Sequence, residues 1–315
     1  VTDTPTLDDV RAAATRIAPH VRRTPLLAAT SLRQPLTHDG GLLLKLECLQ
    51  VTGSFKARGA VNAVASLGDD ARRGVVTASG GNHGLAVAYA AWLVGAPATV
   101  VVPSTTSAAK REKLARWDAE VVVQGDVWDD AHAAGLARAA RDGRAYVHPF
   151  ADPAVVAGQG TIALEVLADA PEVDTLLVAV GGGGLIGGVA LAARGLSSRV
   201  KVVGVEPTGA PTLFESLRQG ELVTLPRITT AAGSLAPRRS AALNLELARR
   251  HVERVVLVDD EDLRAAARWL WFELGVAAEL GGAAAVAALL SGAYAPAAGE
   301  RVVAIVCGAG TDGLA

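Results

Sequence analysis

Short apolar runs alternate with longer Ala-rich stretches over most of this 315-residue chain, and that alternation limits the fold more than any single residue does. Strand candidates stand at Leu42–Leu46, Val75–Ala78, Ala98–Val102, Val121–Val123 and Ala145–Val147, with helical stretches such as Leu85–Val94, Ala108–Trp117 and Asp129–Ala140 among them. A second series of strands follows at Leu176–Val180, Val200–Val205, Val255–Val258 and Val302–Val306, again with helices between. Strands that are apolar throughout are covered on both faces, as in parallel sheets flanked by helices. The expectation is therefore an α/β fold of two doubly wound open sheets, with ligands held at the carboxyl ends of the strands. Ahead of them, Asp8 is read as the cap of a helix with apolar positions Val10, Ala13, Ala14 and Ile17, ending near Pro19.

Composition narrows the function classes. Half the residues are hydrophobic but only 4% are aromatic, and there are 34 glycines, so the core must be built from Ala, Val and Leu with close backbone approaches. Lys and Arg number 30 against 32 Asp and Glu, which leaves no basic stripe for a nucleic acid. Two uncharged stretches, Leu85–Ala109 and Thr175–Ala193, are long enough to weigh as membrane spans. The first is broken by Gly95, Pro97 and Pro103 and the second by six glycines, so each reads as one strand plus one helix, and no membrane partner is expected. Cys48 and Cys307 stand in no metal-ligand spacing and read as free, buried thiols of a reducing compartment, the cytoplasm. Val1–Pro5 has neither the basic flank nor the apolar run of a secretion signal.

Four segments can carry chemistry. Thr52-Gly53-Ser54-Phe55-Lys56-Ala57-Arg58-Gly59-Ala60 opens a helix with a lysine in its first turn, where the helix dipole mildly disfavours the cation; by itself the segment reads either as a solvated surface lysine or as an amine nucleophile. Ala78-Ser79-Gly80-Gly81-Asn82-His83-Gly84 joins a strand to a helix, and its amides form either an anion cradle or an ordinary turn capped by Ser79 or Asn82. Gly181-Gly182-Gly183-Gly184-Leu185 follows the strand Leu176–Val180; four glycines in a row are costly in backbone entropy, and a phosphate at the helix start accounts for them. Gly182, Gly184 and Gly187 also satisfy G-x-G-x-x-G, with Glu206 placed as a ribose-binding acid, so a nicotinamide-dependent oxidoreductase stays open. Cys307-Gly308-Ala309-Gly310-Thr311 follows the last strand, where a small polar side chain can meet a ligand ring or simply pack in the core.

In this order, and with Lys45-Leu46-Glu47, His148-Pro149-Phe150 and Ala157-Gly158-Gln159-Gly160-Thr161, the four segments resemble the pyridoxal-phosphate enzymes of the tryptophan synthase β fold (fold type II). Within them the chain is most similar to the serine/threonine dehydratase and serine racemase group. The resemblance implies pyridoxal 5'-phosphate as cofactor, joined as an imine to Lys56 of the S-F-K-x-R-G motif with Phe55 beside its ring. It puts the substrate carboxylate on Ser79, Gly80, Gly81, Asn82 and His83, with Asn82 also meeting the phenolic oxygen. The cofactor phosphate falls to Gly181, Gly182, Gly183, Gly184 and Leu185, and the pyridine nitrogen to Cys307. A small domain of residues 48–148 would carry Lys56 and the carboxylate loop, a large one of 1–47 and 149–315 the phosphate loop, with the active site in the cleft between them.

The implied activity is a lyase reaction, the elimination of the β-hydroxyl of L-threonine, L-serine or a related amino acid to a 2-oxo acid and ammonia. Lys56 would serve as general base. A thiol, with a reference pKa near 8.5, is a poor partner for a protonated pyridine, so the ring would be a weak electron sink and elimination would be favoured over a long-lived carbanion. Departures from the family pattern bear on detail. Gly80 stands where racemases carry a second serine, so racemisation should be weak. Thr212 replaces an acid of the cation-binding loop Gly204–Thr212, leaving Glu206 as its one carboxylate, so no metal is expected. Ala231-Ala232-Gly233 and Glu279-Leu280-Gly281-Gly282 replace the usual A-D-G and E-P-x-G, and Trp269, Trp271 and Phe272 are either pocket or core elements. A serine racemase, or a module that binds the cofactor without turnover, are the further alternatives. A homodimer or homo-oligomer is the family expectation, and no regulatory domain is expected after Thr311.

Overall fold

A computed structural model describes residues 4–37 and 41–314. The strands are β1 (Leu26–Ala28), β2 (Leu42–Lys45), β3 (Val75–Ala78), β4 (Ala98–Val102), β5 (Glu120–Val123), β6 (Ala145–Tyr146), β7 (Thr175–Ala179), β8 (Lys201–Pro207), β9 (Arg254–Val258) and β10 (Val302–Ile305). They form two sheets, one of six strands in the order β1-β2-β10-β7-β8-β9 and one of four in the order β5-β4-β3-β6. Every neighbouring pair is parallel except β1 on β2. The central strands β3, β4, β7 and β10 are buried along their whole length, as expected for sheets covered on both faces.

The helices are α1 (Leu7–Ile17), α2 (Lys56–Ser66), α3 (Asn82–Leu93), α4 (Ala108–Ala115), α5 (Trp128–Asp142), α6 (Pro153–Asp169), α7 (Gly184–Leu196), α8 (Thr212–Gln219), α9 (Ala242–His251), α10 (Asp260–Leu274) and α11 (Leu280–Leu290). The start of α1 differs from expectation. Thr6 is the cap, accepting from Asp9 N at 3.2 Å while Asp9 returns a carboxylate to Thr6 N at 2.7 Å, so Asp8 sits inside the first turn. That reciprocal arrangement satisfies two end amides, which Asp8 as a cap would not. Among the described residues no helix is long and apolar enough to cross a membrane.

Helix α2, which begins with Lys56, is fixed by two features. It crosses α6 at backbone contact: a Cβ on Gly158 would lie 2.6 Å from Gly59 Cα and 2.7 Å from Arg58 O. It is also pinned by charge. The Arg58 guanidinium, wholly buried, donates to Glu47 through Nε and Nη2 at 2.8 Å each and to Glu165 through Nη1 and Nη2 at 2.7 and 2.9 Å. Lys45, also fully buried, donates to Glu165 at 2.5 Å and to Thr24 O at 2.7 Å. Two cations and two carboxylates thus join α2 to the end of β2 and to α6, each charge with an opposite partner, the condition for burying them.

Candidate active site

The chain segment before α2 lies against the end of β10. Phe55 N donates to Cys307 O at 3.1 Å and Ser54 bridges to Gly308, which puts the first residue of α2 beside the last strand of the larger sheet. Lys56 Nζ donates to Pro149 O at 2.7 Å and lies 5.1 Å from the Phe55 ring centre. The residue as a whole is half-buried, and its amine is surrounded by protein. Burial therefore draws its pKa down to about 8, with Cys307 and Glu279 opposing.

The turn after β3 holds Ser79, Gly80 and Gly81, and α3 starts at Asn82 without a side-chain cap. Ser79 Oγ accepts from Gly81 N at 3.3 Å. Asn82 Nδ2 donates to Glu279 Oε1 at 2.9 Å. Burial raises the Glu279 carboxyl above its ordinary range, while hydrogen bonds from Ser234 and Asn82 pull the other way. His83 Nε2 lies 3.1 Å from Val147 O, and a carbonyl only accepts, so Nε2 carries the proton and Nδ1 is a bare acceptor. Nδ1 is buried and has no partner. Burial first, then Lys56, holds this imidazole well below its ordinary pKa, so the ring is neutral. A bare acceptor cannot hold a carboxylate, so at His83 that role falls to the backbone N–H and not to the ring.

The glycine run connects β7 to α7. Gly183 has φ +91°, a left-handed conformation suited to glycine, and a Cβ on Gly182 would lie 2.3 Å from the Phe150 ring. The Gly182 carbonyl is held from outside by Asn244 Nδ2 at 2.6 Å and Ser240 Oγ at 3.1 Å. Asn244 also donates to Phe150 O at 2.9 Å. The first amides of α7 lack helical partners by construction, so loop and helix together present an anion site. Cys307, after β10, donates its Sγ proton to Gly281 O at 3.4 Å, and burial followed by Glu279 pushes the thiol up, so it stays protonated.

These elements face one cavity of about 700 Å³. It is lined by Phe55 and Lys56, by Ser79 through His83, by Gly181 through Leu185, and by Cys307, so all the residues that the resemblance assigned to cofactor and substrate reach the same space. The volume lies within the usual range for small-ligand sites. An aldehyde-bearing aromatic phosphate fits this donor set: an amine inside the cavity, a glycine run at a helix start so closely packed that a Cβ at Gly182, Gly183 or Gly184 would come within 2.9 Å of Phe150 or Asn244, and a neutral thiol on a third side. A smaller hollow of about 290 Å³ beside α1, α2 and α6 is lined by none of these residues.

Other expectations are corrected. Glu206 is fully buried and its two oxygens accept from Leu213 N at 2.8 Å and Phe214 N at 2.7 Å, at the start of α8. It does not line the cavity, so the dinucleotide alternative loses its ribose acid. Burial raises its pKa to about 8 against those amide bonds. Thr212 Oγ1 donates to Pro237 O at 2.7 Å. Trp269 is a core residue, its Nε1 donating to Gln34 O at 3.0 Å, while Trp271 and Phe272 are 45% and 78% exposed and none of the three reaches the cavity. Sequence reasoning missed Asn244, Ser240, Trp128 and the Pro149 carbonyl. Trp128 lines the cavity and donates to Ala78 O at 2.9 Å. His148-Pro149-Phe150 was legible as a motif, but Asn244 sits in the first turn of α9 with no motif or spacing signal.

Residues 17–308 match the family described as pyridoxal-phosphate dependent enzyme. The chain belongs to that family. It is 40% identical over 308 residues to the L-threonine ammonia-lyase of Thermotoga maritima, covering 98% of this chain and 76% of the relative. It is 39% identical over 317 residues to a phenylserine dehydratase of Ralstonia pickettii, covering 98% and 95%. The structure of maize serine racemase superposes with a TM-score of 0.92 at 35% identity, covering 98% of this chain and 94% of that one. The tryptophan synthase β-like fold expected from the motifs is thereby shown.

Proposed function

We propose that this protein is a pyridoxal-phosphate-dependent ammonia-lyase that removes the β-hydroxyl of L-threonine, L-serine or a related β-hydroxy amino acid, releasing a 2-oxo acid and ammonia. The observation that carries the reading is the enclosed amine of Lys56 in a cavity that also holds the glycine cradle and Cys307. In this reading residues 48–148 bring Lys56 and the 79–83 loop, and the rest of the chain brings the glycine loop and Cys307, with the substrate in the cleft between.

Lys56 is the group that holds the cofactor and afterwards moves the proton. With its pKa near 8 an appreciable fraction is the free amine at neutral pH, which both tasks need. The Pro149 carbonyl orients Nζ. The loop of Ser79, Gly80, Gly81, Asn82 and His83 would take the substrate carboxylate through its backbone N–H groups and the Ser79 hydroxyl. Bound here, the cofactor would supply an acceptor for the electron pair released when the α proton leaves. Cys307, kept as a thiol, offers the ring nitrogen no strong acid, which favours prompt loss of the β-hydroxyl.

Elimination is preferred to racemisation by an observation at Gly80. A Cβ there would lie 2.6 Å from Thr106 Oγ1 and 2.7 Å from its Cγ2, so Thr106 fills the space where a second serine would project. The same reading includes a homodimer or larger homo-oligomer, supported by the exposed Trp271 and Phe272 on α10. The test is a panel of threonine, serine, phenylserine and hydroxyaspartate scored for 2-oxo acid, with D-serine measured by chiral chromatography. Rapid 2-oxo acid release that disappears in Lys56→Ala supports the proposal; equal rates in the two proteins, or D-serine as the main product from L-serine, would overturn it.

A further inference from the structure

Asn82 and Glu279 meet across the cavity. Asn82 opens α3, after a strand of the four-stranded sheet, and Glu279 immediately precedes α11, against the end of β10 in the six-stranded sheet. Their side chains join at 2.9 Å, Asn82 Nδ2 donating to Glu279 Oε1, and both line the cavity. Glu279 is in turn seated on the segment that follows Cys307. Its amide donates to Gly308 O at 3.1 Å, and a Cβ on Gly308 would lie 2.6 Å from Glu279 Oε1 and 3.3 Å from Asn82 Nδ2. The contact therefore exists only because residue 308 has no side chain.

An asparagine amide has a donor end and an acceptor end of nearly equal shape, and rotation by half a turn exchanges them. What it offers a ligand depends on which end a neighbour claims. A carboxylate only accepts, so Glu279 claims the NH₂ end and rejects the carbonyl end. One Nδ2 hydrogen goes to Glu279, and the second remains as the donor that this side chain can offer in the cavity. We infer that Glu279 is a positioning residue that sets the orientation of Asn82 and ties the 79–83 loop to the segment after β10 that holds Cys307 and Gly308. The inference rests on the proposed cofactor reading, in which Asn82 is a donor to the cofactor's phenolic oxygen.

Glutamine at 279 separates positioning from mere bracing. Glu279→Gln keeps the size and a hydrogen bond, but an amide both donates and accepts, so either orientation of Asn82 is satisfied. Glu279→Ala removes the partner altogether. The experiment uses the full chain loaded with pyridoxal phosphate and compares wild type, Glu279→Gln, Glu279→Ala, Asn82→Ala and the Asn82→Ala/Glu279→Ala pair. The readouts are the wavelength of the visible cofactor band, and kcat/KM for threonine.

Both alanine variants are expected to lose about ten- to a hundredfold in kcat/KM, the range for breaking a buried hydrogen bond. Because Glu279 acts through Asn82, the double variant should be no worse than Asn82→Ala alone, with the same displacement of the band. Glu279→Gln should move the band in the same direction although it folds and keeps the cofactor. Losses that multiply in the double variant, or Glu279 variants with an unmoved band, would overturn the inference while leaving the cofactor reading intact. Absence of a visible band in the wild-type protein would overturn the cofactor reading itself, and the inference with it.

Discussion

Removing the guanidinium of Arg58 should destabilise the protein by an amount that the structure lets one work out. Arg58 has no exposed surface and makes four hydrogen bonds to carboxylates, two to Glu47 and two to Glu165. In Arg58→Met the stem is replaced by atoms of similar bulk, so the loss is one of charge rather than volume. Glu165 keeps Lys45, but Glu47 keeps only the hydroxyl of Thr24 and becomes a buried carboxylate without a cation. One unpaired charge corresponds to about 3–5 kcal/mol. With a urea m-value of about 3 kcal/mol/M, the unfolding midpoint falls by about 1–1.7 M.

The companion variant Arg58→Met/Glu47→Met removes both members and leaves Lys45 and Glu165 as a balanced pair, so most of the loss should be recovered. Urea unfolding of the apoprotein, followed by far-ultraviolet circular dichroism and tryptophan fluorescence together, measures both; coincident transitions are required for the comparison. A single variant that loses less than about 1 kcal/mol, or a double variant no more stable than the single, would refute the reasoning that paired charge holds α2 in place.

Two further predictions concern the cavity. With Lys56 at about 8 instead of its ordinary 10.5, about one amine in ten is neutral at pH 7 rather than about one in three thousand, and the neutral fraction rises with pH. Reconstitution of apoprotein with pyridoxal phosphate should accelerate with pH and level off above a midpoint near 8; a rate still climbing past pH 10 would contradict the shift. Gly182→Ala places a Cβ 2.3 Å from the Phe150 ring and should weaken pyridoxal-phosphate binding at least about tenfold in an absorbance titration, with an overpacking loss of about 1–3 kcal/mol. Unchanged affinity would mean that the glycine loop is not the phosphate cradle.

Much of the architecture was legible because its signals are local. Val75–Ala78 and Ala98–Val102 are strands with the boundaries read from their apolar runs, and the glycine run sits between a strand and a helix as expected. What local patterns cannot carry is pairing over long separations. The last strand, β10, lies between β2 and β7, an order that no neighbouring residues encode. For the same reason nothing in the sequence joins Lys45, Glu47, Arg58 and Glu165 into the one buried group that they form, with Lys45 and Glu165 separated by 120 positions. The site shows the same division. Lys56, Asn82 and Cys307 were found through short motifs, whereas Glu279 and Asn244 act through partners 197 and 62 residues away. Trp269, Trp271 and Phe272 were open between pocket and core, and the helix turns one ring into the core and two toward solvent.

The central claim is that the amine of Lys56 carries the cofactor. The chain has only four other lysines, Lys45, Lys110, Lys113 and Lys201, and of these Lys110 also lines the cavity. Reduction of the cofactor-loaded protein with borohydride, followed by digestion and mass spectrometry, distinguishes them in one measurement. The account predicts a pyridoxyl phosphate increment on the peptide containing Lys56 and on no other; the increment on Lys110, on another lysine, or on none would contradict it.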